Sequence, residues 1–251
     1  MSLGSYGKLA TEVYDIDKPI GHSFGDVEFY LEGLSSCVGR ILEPAVGSGR
    51  ADPAARGRAC RGRRGQLARV LAVCRARCAE RGLEPVLHEA DMRSLSLPNR
   101  YEAIIVPAGS FLLIERREES LGALRRFREH LVPGGRLILD LELQTELRVG
   151  SGSTRIWETP QGETIMQESK LVEVDFLEQY TVSNLRYEKW RDGELVKTEL
   201  QRLPLRWYGL EEFELVLKSV GFINAVVSAD YEHGERPSHA DQTFTFEARR
   251  A

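Results

Sequence analysis

Two glycines follow a short apolar segment near the start of the chain, and this loop constrains the fold more than any other feature. Residues 40–46 predict a buried strand that runs into Gly47-Ser48-Gly49. Glycines at the end of a strand let the backbone approach a ligand closely, although a turn without a ligand uses them too. A nicotinamide dinucleotide site would need a third glycine where Asp52 stands. The loop therefore indicates another kind of ligand site.

Apolar and amphipathic segments alternate along most of the chain. Helices are predicted over 25–34, 71–81, 115–131 and 213–220, and strands over 85–89, 101–107, 136–143, 222–229 and 242–248. Strands that alternate with helices form a mostly parallel sheet with helices on both faces. The fold is therefore predicted to be of the α/β class.

The pattern changes between residues 147 and 203. Long, partly polar strands are predicted over 154–158, 164–174, 177–190 and 194–203, with turn signals at 160–162 and 191–193. This segment is predicted to be an antiparallel β insertion in a domain formed by residues 1–146 and 204–251. The aromatic side chains in and just after it either line an acceptor pocket or, as the favoured role, make packing and dimer contacts: Trp157, Tyr180, Tyr187, Trp190, Trp207 and Tyr208.

Composition argues against several partners. The chain has 251 residues and a formal net charge of -4, so nucleic acid and anionic membrane are not the predicted partners. The apolar runs are too short to cross a bilayer, and residues 1–6 lack the features of a signal peptide, so a cytoplasmic protein is predicted. Cys74 and Cys78 have no second ligand pair beside them, so reduced thiols and no metal site are expected.

Four segments between Arg40 and Leu143 resemble, in the same order, the motifs of class I S-adenosylmethionine (SAM) dependent methyltransferases. They are Glu43-x-x-x-Gly47-x-Gly49, similar to the first motif; His88–Met92, similar to the adenine motif; Tyr101–Ser110, similar to the fourth strand with its active-site loop; and Leu131–Leu137, similar to the turn before the fifth strand. The last two predicted strands match the family's closing antiparallel pair. The resemblance implies a Rossmann-like, mostly parallel seven-stranded sheet.

The resemblance also implies SAM as methyl donor and S-adenosylhomocysteine (SAH) as product. Gly47 and Gly49 would pack under the amino-acid and ribose portion of SAM. Asp91 would accept a hydrogen bond from the adenine amino group, where a loop cap is the alternative role, and the backbone of Met92 would meet the ring. Tyr14 would help to close the N-terminal segment over SAM, where a surface aromatic side chain is the alternative role. The implied SAM-binding residues are Tyr14, Glu43, Pro44, Ala45, Gly47, Ser48, Gly49, Asp91, Met92, Pro107, Ala108 and Gly109.

The methyl acceptor is predicted to be a small molecule. Enzymes that methylate DNA amines carry an Asp/Asn-Pro-Pro-aromatic sequence after the fourth strand, and residues 107–111 depart from it. The predicted insertion resembles the extra sheet that family members with small acceptors place over the active site. No catalytic base is assigned; His22 is a candidate, and a structural histidine is the alternative. Either a monomer or a homodimer is expected.

Residues 51–69 do not fit this family. The segment reads ADPAARGRACRGRRGQLAR, with six arginines and one leucine, where the family has a helix and a strand ending in a ribose-binding acid. It shows no helical or strand periodicity, so no central strand is predicted. One interpretation is an Arg-Gly segment that binds nucleic acid.

A reading-frame error is the preferred hypothesis for this segment. Codons that encode it permit LIPLLEAGHAVDGVDNSPE when they are read one base later, which supplies an apolar helix, a turn, a strand and an acidic end. The ribose-binding aspartate would lie across the codons of Gly65 and Gln66.

The sequence is therefore compatible with three functions. The first is a methyltransferase acting on an N or O atom of a small molecule. The second is a binding or regulatory protein that kept the fold and lost the chemistry. The third is an RNA-binding protein that uses the arginine-rich segment, for which steep salt dependence is expected.

Overall fold

The computed structural model describes residues 7–17, 23–45, 58–60 and 86–251. Its helices are α1 (Lys8–Asp17), α2 (Asp26–Leu34), α3 (Arg117–His130) and α4 (Leu210–Ser219). The strands of the first half are β1 (Ile41–Leu42), β2 (Arg58–Cys60), β3 (Leu87–Glu89), β4 (Tyr101–Val106) and β5 (Leu131–Leu141). The remaining strands are β6 (Gly152–Glu158), β7 (Thr164–Asp175), β8 (Tyr180–Arg191), β9 (Glu194–Arg206), β10 (Phe222–Ala229) and β11 (Phe244–Arg250).

The main sheet has the strand order β1-β4-β5-β11-β10. Strands β1, β4 and β5 are parallel, and β11 pairs antiparallel with both β5 and β10, which confirms the predicted closing pair. Strands β2 and β3 form a separate parallel pair, and Cα atoms of β2 lie within 8 Å of β1. The described residues therefore form a mixed α/β fold with five strands in one sheet and two beside it, while a single seven-stranded sheet remains a prediction.

Helices cover both faces of the main sheet, as predicted. On one face the apolar side of α3, with Leu124 and Phe127, packs together with Phe213 of α4 in the largest hydrophobic cluster. On the other face Phe29 of α2 packs against Ile105 and neighbouring residues of the sheet. Strand β4 is therefore buried on both sides, which explains why its sequence is apolar without alternation.

The Pro-Gly-Gly turn predicted before the fifth strand lies inside β5 instead. Helix α3 ends at His130, and β5 begins at Leu131 without an intervening loop. The register with β4 shifts there, because Tyr101 pairs with Leu131 and Ala103 with Arg136. Gly134 has a φ of +74°, a left-handed conformation that favours glycine, so the sequence forms a bulge in the strand.

The predicted antiparallel insertion is present as a four-stranded sheet, β6-β7-β8-β9. Asp192 and Gly193 connect β8 to β9 with φ angles of +50° and +79°, as expected of a two-residue hairpin turn. Strand β9 continues to Arg206, three residues beyond the predicted end of the insertion.

Helix α1 packs on this second sheet. Leu9 and Val13 join a hydrophobic cluster with Ile165 and Leu185 of the insertion. The Glu199 carboxylate accepts hydrogen bonds from the backbone N–H groups of Lys8 (3.1 Å) and Leu9 (2.7 Å), which satisfies two free donors at the helix N-terminus. The N-terminal helix is therefore attached to the insertion.

Three of the six aromatic side chains in and just after the insertion take part in packing, the favoured role: Trp157, Tyr187 and Tyr208. Tyr208 is buried in the main core and Tyr187 in the cluster around α1. The Tyr180 hydroxyl donates a hydrogen bond of 2.6 Å to Glu173, and this bond is the main cause of the rise in its pKa to about 12. Trp157 donates to Asp17 from α1 (3.1 Å).

No central strand is predicted for residues 51–69, and the described part of this segment forms only the three-residue strand β2, which pairs with β3. Any residue except proline can donate and accept the backbone hydrogen bonds of a strand, so Arg58-Ala59-Cys60 pairs with β3 although the segment lacks periodicity. The predicted helix over 71–81, with Cys74 and Cys78, lies outside the described residues. No helix in the described part of the chain is long and apolar enough to cross a membrane.

Candidate functional site

The carboxyl ends of β1, β4 and β5 lie along one edge of the main sheet. These three strands are parallel, so the segments that follow them come together there. In open α/β sheets ligands bind at this edge. The candidate site is therefore built from residues that follow β1, β3, β4 and β5.

Residues after β1 and β3 supply the two predicted carboxylates. Glu43 is buried directly after β1, followed by buried Pro44 and half-buried Ala45. Asp91 accepts a hydrogen bond of 2.9 Å from the backbone N–H of Arg93, the capping role considered for it. Its ion pair with the Arg93 guanidinium (2.6 Å) raises the pKa of Arg93.

The remaining sequence-predicted positions differ in how far the structure describes them. Met92 buries its side chain in the main core, which leaves only its backbone for a ligand. Tyr14 lies half-buried on α1. Gly47, Ser48, Gly49 and His22 lie outside the described residues. Their roles stay predictions.

The loop after β4 has a constrained backbone. Pro107 is buried, and the next two residues, Ala108 and Gly109, have φ angles of +54° and +62°. A left-handed conformation is uncommon for alanine and is retained only where neighbouring groups impose it. The Ala108 N–H donates a hydrogen bond of 2.7 Å to the Asp140 carboxylate, which is the contact that imposes it.

Asp140 is the structural centre of this edge, and the sequence analysis missed it. Its fully buried carboxylate, near the end of β5, accepts hydrogen bonds from Tyr30 Oη (2.8 Å), Thr245 Oγ1 (2.9 Å) and Tyr231 Oη (3.1 Å) as well as from Ala108. Burial raises the pKa of Asp140 to about 6, although the four hydrogen bonds oppose that rise. Asp140 thus ties α2, β11 and the Tyr231 segment to the loop after β4.

The Asp140 contacts also affect the two tyrosines. Burial and the charge of Asp140 raise the pKa of both Tyr30 and Tyr231 above their usual range. Both hydroxyls therefore stay protonated at neutral pH and act as donors to Asp140. A single aspartate in the apolar run Leu137–Leu141 was the one sequence signal that could have identified this group.

The insertion is joined to the main sheet by a second polar group. Glu115, after β4, makes a two-pronged ion pair with Arg202 of β9 (2.7 Å for each contact), which lowers the pKa of Glu115. Arg117 pairs with Glu212 of α4 (2.6 Å).

Within the described ranges, no group of three or more His, Cys, Asp or Glu side chains is arranged to hold a metal ion.

Comparisons with known proteins assign the fold. No protein-family model and no curated protein sequence matches the chain. Among solved structures, a SAM-dependent methyltransferase from Clostridium acetobutylicum superposes with a TM-score of 0.74 at 17% identity, over 97% of this chain and 98% of that one. The chain has the class I methyltransferase fold.

Two further methyltransferases with this fold match over nearly their whole length. An amino pentose methyltransferase of calicheamicin biosynthesis from Micromonospora echinaspora gives a TM-score of 0.70 at 17% identity, over 100% of both chains. A sugar N-methyltransferase from Streptoalloteichus gives 0.69 at 21% identity, over 100% of this chain and 98% of that one. The methyltransferase fold of this chain therefore includes both the main sheet and the insertion.

Proposed function

We propose that the protein is a SAM-dependent methyltransferase that acts on a nitrogen or oxygen atom of a small molecule. The observation that carries this proposal is the loop of Ala108 and Gly109, which a buried carboxylate holds at the carboxyl edge of a methyltransferase-fold sheet. A fixed loop beside the ends of parallel strands is suited to aligning two reactants.

The side chains at this edge fit the chemistry of SAM. SAM carries an amino group, an adenine amine and a positively charged sulfonium, which interact favourably with carboxylates. Glu43 and Asp91 supply carboxylates, and the small residues after β1 and β4 leave space for a ligand near the backbone. We propose that SAM is bound by Tyr14, Glu43, Pro44, Ala45, Gly47, Ser48, Gly49, Asp91, Met92, Pro107, Ala108 and Gly109.

The protein's contribution to the reaction is alignment. SAM supplies a methyl group on a positively charged sulfur, and its transfer is an in-line displacement, so the position of the acceptor supplies much of the rate. Asp140 fixes the backbone on which the acceptor atom would rest. Strand β9 runs beside residues 110–113, the turn that follows this loop, so the insertion is suited to cover the acceptor.

The preferred acceptor atom is a nitrogen. The structural neighbours are described as an amino pentose methyltransferase, a sugar N-methyltransferase and a glycopeptide N-methyltransferase. Many amines need only orientation and loss of a proton before they react, which agrees with a site organised by one buried positioning group.

Calorimetric titration of the folded protein with SAM, SAH and NAD tests the proposal. One-to-one binding of SAM and SAH with no binding of NAD is expected, because the loop after β1 lacks the third glycine of a dinucleotide site. Circular dichroism of the same sample verifies that it is folded. A folded sample that binds neither SAM nor SAH contradicts the proposal.

A second candidate is a methyltransferase-fold binding or regulatory protein without catalytic activity. The observation that favours it is the absence of any acidic residue except Asp52 from residues 51–69. This candidate predicts that the protein binds SAM or SAH but transfers no labelled methyl group from SAM to any of a set of amino sugars.

A further inference from the structure

We propose that Glu142 provides the negative charge that binds the cationic group at the methyl-transfer position: the sulfonium of SAM and the protonated amine of the acceptor. This inference rests on the proposed function and assigns a residue that neither the sequence motifs nor the fold comparison identifies.

Glu142 lies next to the loop that Asp140 holds. It follows Leu141, the last residue of β5, at the carboxyl edge of the sheet. A Cβ atom at Gly109 would lie 3.9 Å from both Cδ and Oε1 of Glu142. Its charge also contributes to the raised pKa of the neighbouring Tyr231.

The charge of Glu142 is not neutralised within the described part of the chain. Glu142 is exposed and makes no hydrogen bond or ion pair with another described residue, whereas Glu115 and Glu212 both pair with arginines. Asp140, two residues earlier, is buried and has four donors. The two acidic residues thus have different tasks, since Asp140 positions the backbone and Glu142 presents a carboxylate to the ligand.

A carboxylate at this position suits the charges of an N-methyl transfer. An acceptor R–NH3+ is attracted to the Glu142 carboxylate and releases one proton to solvent water, which leaves R–NH2 beside a carboxylate that is still charged. The nitrogen lone pair then forms the N–C bond to the methyl carbon while the bond of that carbon to sulfur breaks and its electron pair stays on sulfur. The products are R–NH2–CH3+ and neutral SAH, so the positive charge remains near Glu142 throughout.

Three ligands that differ in charge at this position test the inference. SAM carries a sulfonium, sinefungin carries an amine in place of the sulfonium methyl group, and SAH is neutral there. For Glu142→Gln we expect the Kd of SAM and of sinefungin to increase by about 3- to 10-fold, while the Kd of SAH changes less than about twofold. Calorimetry gives all three values for each variant.

Glu146→Gln is the matched control. Glu146 is an exposed acid four residues further along, whose carboxylate accepts from the Arg148 N–H. We expect all three Kd values to stay unchanged in this variant. Equal effects of Glu142→Gln on SAM, sinefungin and SAH, or no effect on any of them, would overturn the role of Glu142 while leaving the proposed function intact. A wild-type protein that binds none of the three ligands would overturn both.

Discussion

Replacement of residues 51–69 by LIPLLEAGHAVDGVDNSPE is expected to increase the affinity for SAM by about 10- to 100-fold. The peptide restores an aspartate where the class I resemblance expects the ribose-binding acid. A hydrogen bond to a charged group contributes about 1.5–3 kcal/mol, and each 1.4 kcal/mol changes affinity about tenfold. Calorimetric titration of SAM into the original and replaced chains measures the difference.

A second replacement peptide controls for the repair of the fold. LIPLLEAGHAVDGVNNSPE restores the same helix and strand but carries an amide in place of the ribose-binding carboxylate. It should recover stability without the full gain in affinity. Equal SAM affinities of the original chain and both replacements would contradict the ribose assignment. An unbroken coding frame that matches the printed residues would remove the reading-frame hypothesis.

Asp140→Ala is expected to lower the free energy of unfolding by about 3 kcal/mol or more. The substitution removes the acceptor of two buried hydroxyls, those of Tyr30 and Thr245, and of two part-buried donors, the Ala108 N–H and the Tyr231 hydroxyl. Each unsatisfied buried donor costs about 1–3 kcal/mol. Urea unfolding followed by circular dichroism measures the change. A loss below about 1 kcal/mol would contradict the role of Asp140 as the centre of this edge.

Asp140→Asn keeps the shape of the Asp140 side chain and removes its charge. The amide oxygen can still accept from Ala108, and hydroxyls can rotate to accept from the amide NH2, so a smaller loss is expected than for alanine. The variant also removes the titration of Asp140. Because burial raises the folded pKa to about 6, the folded protein holds a proton that the unfolded chain loses near its usual pKa of about 3.9.

The sign of the pH effect follows from this difference in proton binding. A raised folded pKa makes Asp140 contribute more stability as the pH falls from about 7 to about 5, and the contribution is lost as the pH rises through about 6. We expect the wild type to gain about 1 kcal/mol over Asp140→Asn across this interval. Groups that titrate identically in both proteins cancel in the comparison.

Local sequence was sufficient for much of the fold. Strand β4 is a continuous apolar run, and α3 carries its apolar residues on one face, so both follow from short-range patterns. The turn at Asp192 and Gly193 is equally local. These elements could be predicted because the apolar residues that form the local pattern are the same residues that pack in the core.

Contacts between distant parts of the chain could not be predicted in the same way. Asp140 receives donors from residues about a hundred positions away, so its burial depends on the assembled sheet. The attachment of α1 to the insertion depends on Glu199, which lies 190 residues from Leu9. The β2 strand depends on backbone pairing, which side-chain periodicity does not report.

A crystal structure of the protein with bound SAH is the most direct test of a SAM site at the carboxyl edge of the main sheet. We predict that the adenine amino group donates to Asp91, that the ring contacts the backbone of Met92, and that the sulfur lies above Ala108 and Gly109. SAH bound away from this edge, or a folded crystal that takes up no SAH at saturating concentration, would contradict the site.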